Sequence, residues 1–349
     1  MHILILGASY GSLLGTKLAM AGHDVELVCR EKTAALMNDQ GTVVLIKLRG
    51  EDEHRAISSK GLPGRVRAVT PENVQVNDYD LVAMAMQEPQ YGAGAVADLM
   101  VRVAAAKKPC LSIMNMPPMP YLKRIEALAD VDLTACYTAP GVWQAFAPGL
   151  VSLCSPDPQA FRPPEEGANV LHVGLPTNFK AATFADEAHN TMLRQLEADI
   201  AAVTLDGNDV PVKLRVFDSL HVPLAKWSML LTGNYRCVQA DGEQAIRDAV
   251  HGSGDGDLER SRAVYAWVDG IVQRLGGDAS DSVPFEKYAK AAEQLLKPSS
   301  AARAIGAGAT NIERVDRLVQ TVARGLRIDT SLIDDTVATV DARLLANAS

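Results

Sequence analysis

The chain has 349 residues, a hydrophobic fraction of 48% and a formal net charge of −8. This length predicts two domains, and the excess of acidic residues argues against a general surface for nucleic acid or anionic membranes. No apolar run reaches the roughly 20 residues of a membrane span, and the chain opens on a strand pattern rather than a signal peptide. The five cysteines are widely spaced and lack a CxxC pair. That usage indicates reduced thiols rather than a disulfide framework or a metal site, so we expect a cytoplasmic protein.

The first half alternates short apolar runs with amphipathic stretches, which is the pattern of parallel βα units. It predicts buried strands over 2–6, 24–29, 79–86 and 109–114 and helices over 11–21, 91–106, 119–128 and 183–202. Apolar runs at 133–138, 149–154 and 169–174 predict further strands that close the sheet. The proline-rich segment 155–167 predicts a surface loop.

From about residue 213 the pattern changes to helices. They are predicted over 222–238, 242–251, 257–275, 284–296, 311–326 and 331–346, with a flexible connection over 251–257. We therefore predict an α/β domain over residues 1–212 and an all-helical domain over 213–349. The apolar faces of 263–275 and 314–326 make a homodimer a further expectation.

A glycine turn joins the first predicted strand to the first predicted helix. The residues are Gly7, Ala8, Ser9, Tyr10, Gly11 and Ser12, and Gly15 follows one turn later. Such a turn exposes backbone N–H groups at the positive end of a helix dipole, where a phosphate binds. Ser9 takes the place of the middle glycine of the usual GxGxxG fingerprint, and the span from Gly7 to Gly11 is one residue shorter than in that fingerprint. The strand–turn–helix–strand order nevertheless favours a dinucleotide site on a doubly wound, Rossmann-type sheet over a turn that binds nothing.

The second strand ends in Cys29-Arg30-Glu31-Lys32. An NAD site usually carries an acid at this tip, which accepts a hydrogen bond from the ribose 2′-hydroxyl. Arg30 offers a planar fork suited to a 2′-phosphate, with Lys32 as a second donor. NADP is therefore the favoured cofactor, and the alternative is that Arg30 is a solvated charge and Glu31 is the ribose acid.

Three stretches resemble the ketopantoate reductase family. They are "ILGASYGSLLGTKLAMAGHDVELVCR", "YDLVAMAMQEPQ" followed by "SIMNMP", and "KPSSAARAIGAGATNIERVDRLVQ". The resemblance implies an N-terminal Rossmann domain, a helical C-terminal domain of the 6-phosphogluconate dehydrogenase type, and nicotinamide-dependent reduction of a carbonyl group.

The second stretch implies residues on the nicotinamide side of the site. Gln87 stands where the family has a lysine, Gln90 matches a family glutamine, and Asn115 matches a family asparagine. Met116 replaces the glycine that follows this asparagine. Met86 belongs to a group of methionines at the same sheet edge that pack in the core or line an apolar pocket.

The family's acid is a lysine, followed by two asparagines at successive helical turns. Aligning on lysine gives Lys226 as the acid, Leu230 at the first asparagine and Asn234 at the second. Aligning on the family tryptophan instead gives the three positions Met229, Gly233 and Cys237, with every catalytic side chain missing. Both registers stay open.

Two further family positions lie near the C-terminus. Ser299 matches a family serine, and Asn311 replaces the glutamate that holds the substrate hydroxyls. An amide both donates and accepts, whereas a carboxylate only accepts. We therefore expect weak or no activity on ketopantoate and a different ketone, 2-oxo acid or imine as substrate.

His221 is the alternative proton donor. It stands just before the helix predicted over 222–238, and opine-type dehydrogenases, which share the two-domain plan, use a histidine as their acid. It is also a plausible helix-capping residue. Besides an enzyme, the sequence allows a cofactor-binding redox sensor whose catalytic positions have been lost.

Overall fold

The computed structural model describes residues 1–252 and 257–349, which form two compact units. The first unit consists of Met1–Met86, Gln90–Tyr121 and Gly141–Asp218. The second consists of Gln87–Pro89, Leu122–Pro140 and Ser219–Ser349. The connection predicted over 251–257 includes 253–256, which lie outside the described residues.

An eight-stranded sheet forms the core of the first unit. Six neighbouring strands run parallel, and the last two strands run parallel to each other but antiparallel to these six. The predicted strands 2–6, 24–29, 79–86, 109–114 and 149–154 are all present, because their apolar runs are buried on both faces of the sheet. In spatial order the strands are Leu214–Phe217, Phe179–Ala182, Val151–Ser155, Cys110–Ile113, Leu81–Met84, His2–Leu6, Asp24–Val28 and Val66–Val69.

The order of the strands reverses at the first one. From His2–Leu6 the chain adds Asp24–Val28 and Val66–Val69 on one side and then returns to add Leu81–Met84 on the other. Ligands of open α/β sheets bind at such a switch point, beyond the carboxyl ends of the strands. The glycine turn follows His2–Leu6 and so lies at this point.

Four longer helices belong to the first unit. The predicted helix 11–21 is Gly11–Met20, with every residue from Gly11 to Ala19 buried, and the predicted helix 183–202 is Glu187–Ala201. The predicted helix 119–128 is wrong beyond Leu122, since Met119–Leu122 is a single turn with Pro120 inside it. The other two helices are Glu31–Gln40 and Gly94–Ala105.

A separate four-stranded sheet contains two segments that the sequence interpreted differently. The apolar run at 169–174 is the strand Val170–Leu175, which pairs with Val43–Ile46 instead of closing the main sheet. The predicted loop 155–167 contains the edge strand Gln159–Phe161, antiparallel to Val170–Leu175. Local patterns do not reveal the pairing with Val43–Ile46, because it joins residues far apart in the chain. The prolines on both sides of Gln159–Phe161 conceal the short edge strand. The fourth strand is Arg55–Ser58, and two-residue strands at Thr204–Leu205 and Asn208–Asp209 form a small hairpin.

The second unit is helical. The predicted strand 133–138 is wrong, because Thr134–Cys136 is a single turn whose Cys136 Sγ lies 3.4 Å from Thr321 Oγ1. The helix predicted over 242–251 begins only at Ile246, after a hairpin of Val238–Gln239 with Gly242–Glu243. The helices are Ile246–His251, Asp257–Arg274, Phe285–Ala292, Ser300–Gly306, Val315–Gly325 and Ser331–Ala348.

The helix predicted over 222–238 changes its winding three times. A 3₁₀ turn (Val222–Ala225) leads into one α turn (Lys226–Met229), a π turn (Leu230–Asn234) and a second 3₁₀ turn (Tyr235–Cys237). The π turn coincides with Gly233, where an added Cβ would lie 2.2 Å from Tyr288 Oη. Close packing at a residue without a side chain therefore accompanies the departure from α geometry.

Among the described residues, no helix is long and apolar enough to cross a bilayer. All five cysteines lie within the described ranges and none is in a disulfide. The strand Leu214–Phe217 follows the predicted domain boundary after residue 212 and belongs to the first unit.

Lys17 is a buried charge in the first helix. It is 1% exposed, and its Nζ donates to the carbonyl oxygen of Val210 at 3.0 Å. Burial, together with the charge of Lys213, lowers the pKa of Lys17 to about 7. Lys213 in turn bonds Asp209 Oδ1 at 2.6 Å and the carbonyl oxygen of Ala201 at 3.0 Å.

The depressed pKa of Lys17 predicts that stability rises with pH. Between about pH 7 and the unfolded pKa of 10.5, the unfolded chain holds a proton that the folded chain has released. The free energy of unfolding should then rise by up to about 1.4 kcal/mol per pH unit in this window, and the rise should vanish below pH 7. Lys17→Met removes the effect.

We expect the difference in free energy of unfolding, wild type minus Lys17→Met, to grow by about 1 to 3 kcal/mol between pH 7 and pH 9 in urea titrations. Lys287→Met, at an exposed position in Phe285–Ala292, serves as the matched control and should show a constant difference. A difference for Lys17→Met that stays flat across the window would contradict the burial argument.

Candidate functional site

The turn after the first strand requires glycine at position 7. Gly7 has φ +103°, and an added Cβ would lie 2.6 Å from Met86 Cγ and 2.7 Å from the carbonyl oxygen of Ala85. Its N–H donates to the carbonyl oxygen of Val28 at 3.1 Å, which ties the turn to the second strand. The chain therefore turns sharply and close to two neighbouring strand ends.

Gly11 and Gly15 bring the first helix close to the sheet. A Cβ on Gly11 would lie 2.6 Å from Ile5 Cγ2, and one on Gly15 would lie 3.2 Å from Val25 Cγ1. Ser9, in place of the middle glycine of the fingerprint, is exposed. The turn thus accommodates a side chain at this position.

The first helix begins without the capping groups that usually accept hydrogen bonds from the first N–H groups of a helix. It has neither a side-chain cap nor an acid in its first turn. The N–H groups of Ser12 and Leu13 donate to the carbonyl oxygens of Ser9 (3.3 Å) and Tyr10 (3.1 Å). Over residues 1–252 and 257–349, no backbone acceptor is seen for the N–H groups of Ser9, Tyr10 and Gly11. These donors, with the helix dipole, fit an anion.

The cations predicted for the adenosine end of a dinucleotide stand at the end of the second strand. Arg30 follows Asp24–Val28 and Cys29 and directly precedes the helix Glu31–Gln40. Arg30, Glu31 and Lys32 are all exposed, and none of them forms an ion pair within the described part of the chain. Their side chains are in solvent, where each of them is accessible to a ligand.

Two more predicted residues follow neighbouring parallel strands. Met86 comes after Leu81–Met84, and its N–H donates to Tyr91 Oη at 2.9 Å. Asn115 comes after Cys110–Ile113, and its Oδ1 is buried with no partner among the described residues. A buried acceptor without a donor costs about 1–3 kcal/mol and fits a ligand that donates to it.

These strand ends lie on one edge of the sheet. The strands that precede Gly7, Arg30, Met86 and Asn115 are parallel neighbours, so their carboxyl ends meet there. Of the five methionines at this edge, Met86 is half-buried. The other four are buried, namely Met84, Met114, Met116 and Met119.

The two predicted glutamines are exposed. Gln87 belongs to the second unit with Glu88 and Pro89, whereas Gln90 belongs to the first. Gln90 lies within the turn Glu88–Gly92, which leads toward the helix Gly94–Ala105.

Two side-chain contacts to the glycine turn are not predicted by the sequence. Tyr10 Oη donates to the carbonyl oxygen of Pro158, and Arg162 Nη2 donates to the carbonyl oxygen of Ala8, both at 2.7 Å. Pro158 and Arg162 lie in the segment predicted as a surface loop. No local pattern distinguishes Arg162 from a solvated arginine, so only the pairing of the second sheet reveals it.

In the second unit, His221 forms hydrogen bonds to two other residues of the unit. Its Nε2 donates to the carbonyl oxygen of Leu275 at 2.9 Å, at the end of the helix Asp257–Arg274. Its backbone N–H donates to Ser219 Oγ at 3.1 Å. An added Cβ on Gly277 would lie 3.0 Å from His221 Cβ. The imidazole thus joins two segments of the unit.

Lys226 and Asn234 are half-buried polar residues on the segment of changing winding. Two positions of the tryptophan alignment, Gly233 and Cys237, are more deeply packed than Lys226 and Asn234. Gly233 is packed against Tyr288, and Cys237 is fully buried with Sγ 3.4 Å from the carbonyl oxygen of Gly233. Burial raises the pKa of the Cys237 thiol.

Ser299 caps a helix. It is 2% exposed, its Oγ donates to the carbonyl oxygen of Asn234 at 2.7 Å, and it accepts from the N–H of Ala302 at 3.1 Å. Ser299 therefore starts the helix Ser300–Gly306 and holds the backbone of the proposed catalytic residue Asn234.

Asn311 is exposed, and its Nδ2 lies 3.3 Å from Thr310 Oγ1. The helix predicted over 311–326 begins only at Val315, so Asn311 lies in the connection before it. Glu313, two residues on, is a buried residue whose carbonyl oxygen accepts from Tyr235 Oη at 2.5 Å. The sequence analysis did not single out this carboxylate.

Comparison with family models finds no match, and no curated protein sequence matches the chain. Solved structures match over nearly the full length. A candidate ketopantoate reductase from Ralstonia solanacearum MolK2 is 18% identical, with 99% of this chain and 98% of that chain covered and a TM-score of 0.71. The 2-dehydropantoate 2-reductase from Methylococcus capsulatus is 15% identical, with coverage of 100% and 98% and a TM-score of 0.69.

D-mandelate dehydrogenase, solved with NADH and anilino(oxo)acetate, is 12% identical, with full coverage of both chains and a TM-score of 0.66. At these identities the likeness concerns the fold. It confirms the expected α/β class, with a Rossmann-like sheet followed by a helical part. The chain has the fold of the ketopantoate reductases, which D-mandelate dehydrogenase shares.

Proposed function

We propose that this protein is an NADP-dependent oxidoreductase of the ketopantoate reductase type that reduces a ketone, 2-oxo acid or imine other than ketopantoate. The observation that carries the proposal is the glycine turn at the switch point of the sheet, with three backbone N–H groups available at the start of an uncapped helix. The fold shared with dehydrogenases adds support.

The residues at the strand ends suit the parts of a dinucleotide. The N–H groups of Ser9, Tyr10 and Gly11 would hold the pyrophosphate. Arg30 and Lys32 would bind the adenosine 2′-phosphate. The other predicted cofactor residues, on the nicotinamide side, are Met86, Gln87, Gln90 and Asn115, of which Asn115 has the buried acceptor without a donor.

When bound, a reduced nicotinamide supplies a hydride to a carbonyl or imine carbon. The oxygen or nitrogen of that double bond then takes up the electron pair and needs a proton. We assign this proton to the ammonium group of Lys226, with the amide of Asn234 as a donor that orients the substrate. This register is supported because it places two half-buried polar side chains, Lys226 and Asn234, at catalytic positions. The alternative places Gly233, which has no side chain, and the fully buried Cys237 at two of its three positions.

Asn311 sets the expected substrate class. With an amide in place of the family's glutamate, a substrate held through paired hydroxyl groups loses a charge-assisted contact. A 2-oxo acid that carries no such hydroxyl groups does not make this contact, so the replacement of the glutamate by Asn311 should not weaken its binding. The complex of D-mandelate dehydrogenase with anilino(oxo)acetate is consistent with such a substrate class on this fold.

The cofactor assignment predicts a selective effect at Arg30. Arg30→Met should weaken NADPH binding about 10- to 100-fold, since a charge-assisted contact to phosphate is lost, and should change NADH binding by less than about threefold. Fluorescence titration of NADPH and NADH measures both dissociation constants. Arg67→Met, an exposed arginine on the edge strand Val66–Val69, is the matched control and should leave both unchanged.

The NADP assignment would be contradicted if the wild type bound NADH more tightly than NADPH and if Glu31→Gln weakened the binding of NADH. It would favour Glu31 as the acid that contacts the ribose.

The catalytic assignment predicts that Lys226→Met lowers kcat about 10²- to 10⁴-fold with little change in NADPH affinity. Consumption of NADPH over a panel of 2-oxo acids, ketones and imines measures turnover, and Lys287→Met is the control. Wild-type protein that binds NADPH but consumes none of the panel would instead indicate a cofactor-binding sensor. Loss of turnover in His221→Gln but not in Lys226→Met would indicate the histidine acid of the opine-type enzymes.

We also propose a homodimer, because one structure that matches this fold is described as a dimeric ketopantoate reductase. Leu296 and Leu345 are 61% and 71% exposed in the second unit and would be candidates for burial between two copies. Light scattering at micromolar concentration should give twice the chain mass of 37.3 kDa. A mass of one chain at all concentrations up to 100 micromolar, roughly the upper end of such experiments, would rule the dimer out.

A further inference from the structure

Hydrogen bonds connect the segment around Gln159–Phe161 to the glycine turn at both ends of the segment. Before this edge strand, the carbonyl oxygen of Pro158 accepts from Tyr10 Oη, and after it Arg162 Nη2 donates to the carbonyl oxygen of Ala8, each at 2.7 Å. The Tyr10 ring also packs edge-on against Phe179, with ring centroids 5.9 Å apart. All of these residues belong to the first unit.

Arg162 lacks a counterion among the described residues. Of the acids nearest to it along the chain, Asp157 forms an ion pair with Lys180 at 3.2 Å, Glu166 pairs with His172 at 2.9 Å, and Glu165 is exposed. No ion pair of Arg162 occurs within the described residues, and its Nε–H is buried there without an acceptor. A partly buried guanidinium with an unused N–H is costly, so this arrangement is suited to an anionic ligand that supplies the missing acceptor.

Arg162 lies between the carboxyl ends of the first and second strands. Its hydrogen bond reaches Ala8, directly after the first strand and Gly7. Its charge also acts on Cys29, the residue after Asp24–Val28, where burial raises the pKa of the thiol to about 11 and the guanidinium opposes the rise. Cys29 is followed directly by Arg30, so a second, exposed arginine stands next to this gap along the chain.

The gap between these strand ends has a defined role in dinucleotide sites. The pyrophosphate lies at the start of the first helix, and the residue at the tip of the second strand contacts the adenosine ribose at its 2′ position. In a chain of net charge −8, a phosphate at this position needs local cations.

We propose that Arg162, held on the second sheet, is a specificity-determining residue that binds the adenosine 2′-phosphate of NADP together with Arg30. This inference rests on the proposed function. It adds a residue from outside the strand–turn–helix fingerprint, brought to the site by the pairing of Gln159–Phe161 with Val170–Leu175 and by the bond from Tyr10. Arg162 is thereby prepositioned, whereas Arg30 is exposed.

The test compares two probes that differ only in the 2′-phosphate, adenosine 2′,5′-bisphosphate and adenosine 5′-monophosphate, by calorimetry on the full chain. In Arg162→Gln, binding of the bisphosphate should weaken about 10- to 100-fold, while binding of the monophosphate should change by less than about threefold. Arg162→Lys, which keeps the charge but not the fork, should lose about three- to tenfold for the bisphosphate alone. Arg67→Gln is the matched control and should bind both probes as the wild type does.

Equal weakening of both probes in Arg162→Gln would overturn the proposal, because Arg162 would then support the turn rather than recognise the 2′-phosphate. Unchanged or tighter binding of the bisphosphate would overturn it as well. If Arg162→Gln does not fold, judged by its thermal midpoint, the Arg162→Lys comparison decides between these outcomes. Wild-type protein that binds neither probe and neither NADPH nor NADH would refute the proposed function itself, whereas wild-type binding with no selective effect of Arg162 would refute only this inference.

Discussion

The close approach of the first helix to the first strands is the constraint on which the first unit depends. Gly7 turns the chain beside Ala85 and Met86, and Gly11 and Gly15 let the helix lie against Ile5 and Val25. A side chain at Gly7 or Gly11 would collide with the sheet. The same closeness leaves the first N–H groups of the helix at the carboxyl edge of the parallel strands. Packing and anion binding therefore have one physical origin in this turn.

The cationic side chains that could contact a ligand lie at the carboxyl edge of the parallel strands. The chain is acidic as a whole, yet Arg30, Lys32 and Arg162 all follow or touch the ends of its first two strands. A buried arginine of the helical unit shows the opposite arrangement. In the helical unit Arg314 forms a two-bond fork with Asp316 at 2.8 and 2.9 Å and also bonds Asp341 at 2.5 Å. The contrast between this satisfied cluster and Arg162 supports an external anion for the latter.

The sequence predicted those parts of the fold that local patterns determine. The strand His2–Leu6 is an almost continuous apolar run, and the glycine turn follows it in the strand–turn–helix–strand order of a dinucleotide site. Pairing between distant segments is not encoded locally, so the second sheet was missed, and with it the contact of Arg162. The winding of 222–238 depends on how Gly233 meets Tyr288, which no periodicity reveals. Ser299 matched a family position, but its role as a helix cap emerged only from its bonds to Ala302 and Asn234.

In the proposed function, the backbone at the start of the first helix holds a dinucleotide pyrophosphate. Hydrogen–deuterium exchange of the amides of residues 8–13, with and without saturating NADPH, reports on these N–H groups themselves. We expect Ser9, Tyr10 and Gly11, whose N–H groups lack a backbone acceptor in the described chain, to exchange markedly more slowly when NADPH is present. Unchanged exchange at these amides, or protection confined to other parts of the chain, would contradict it.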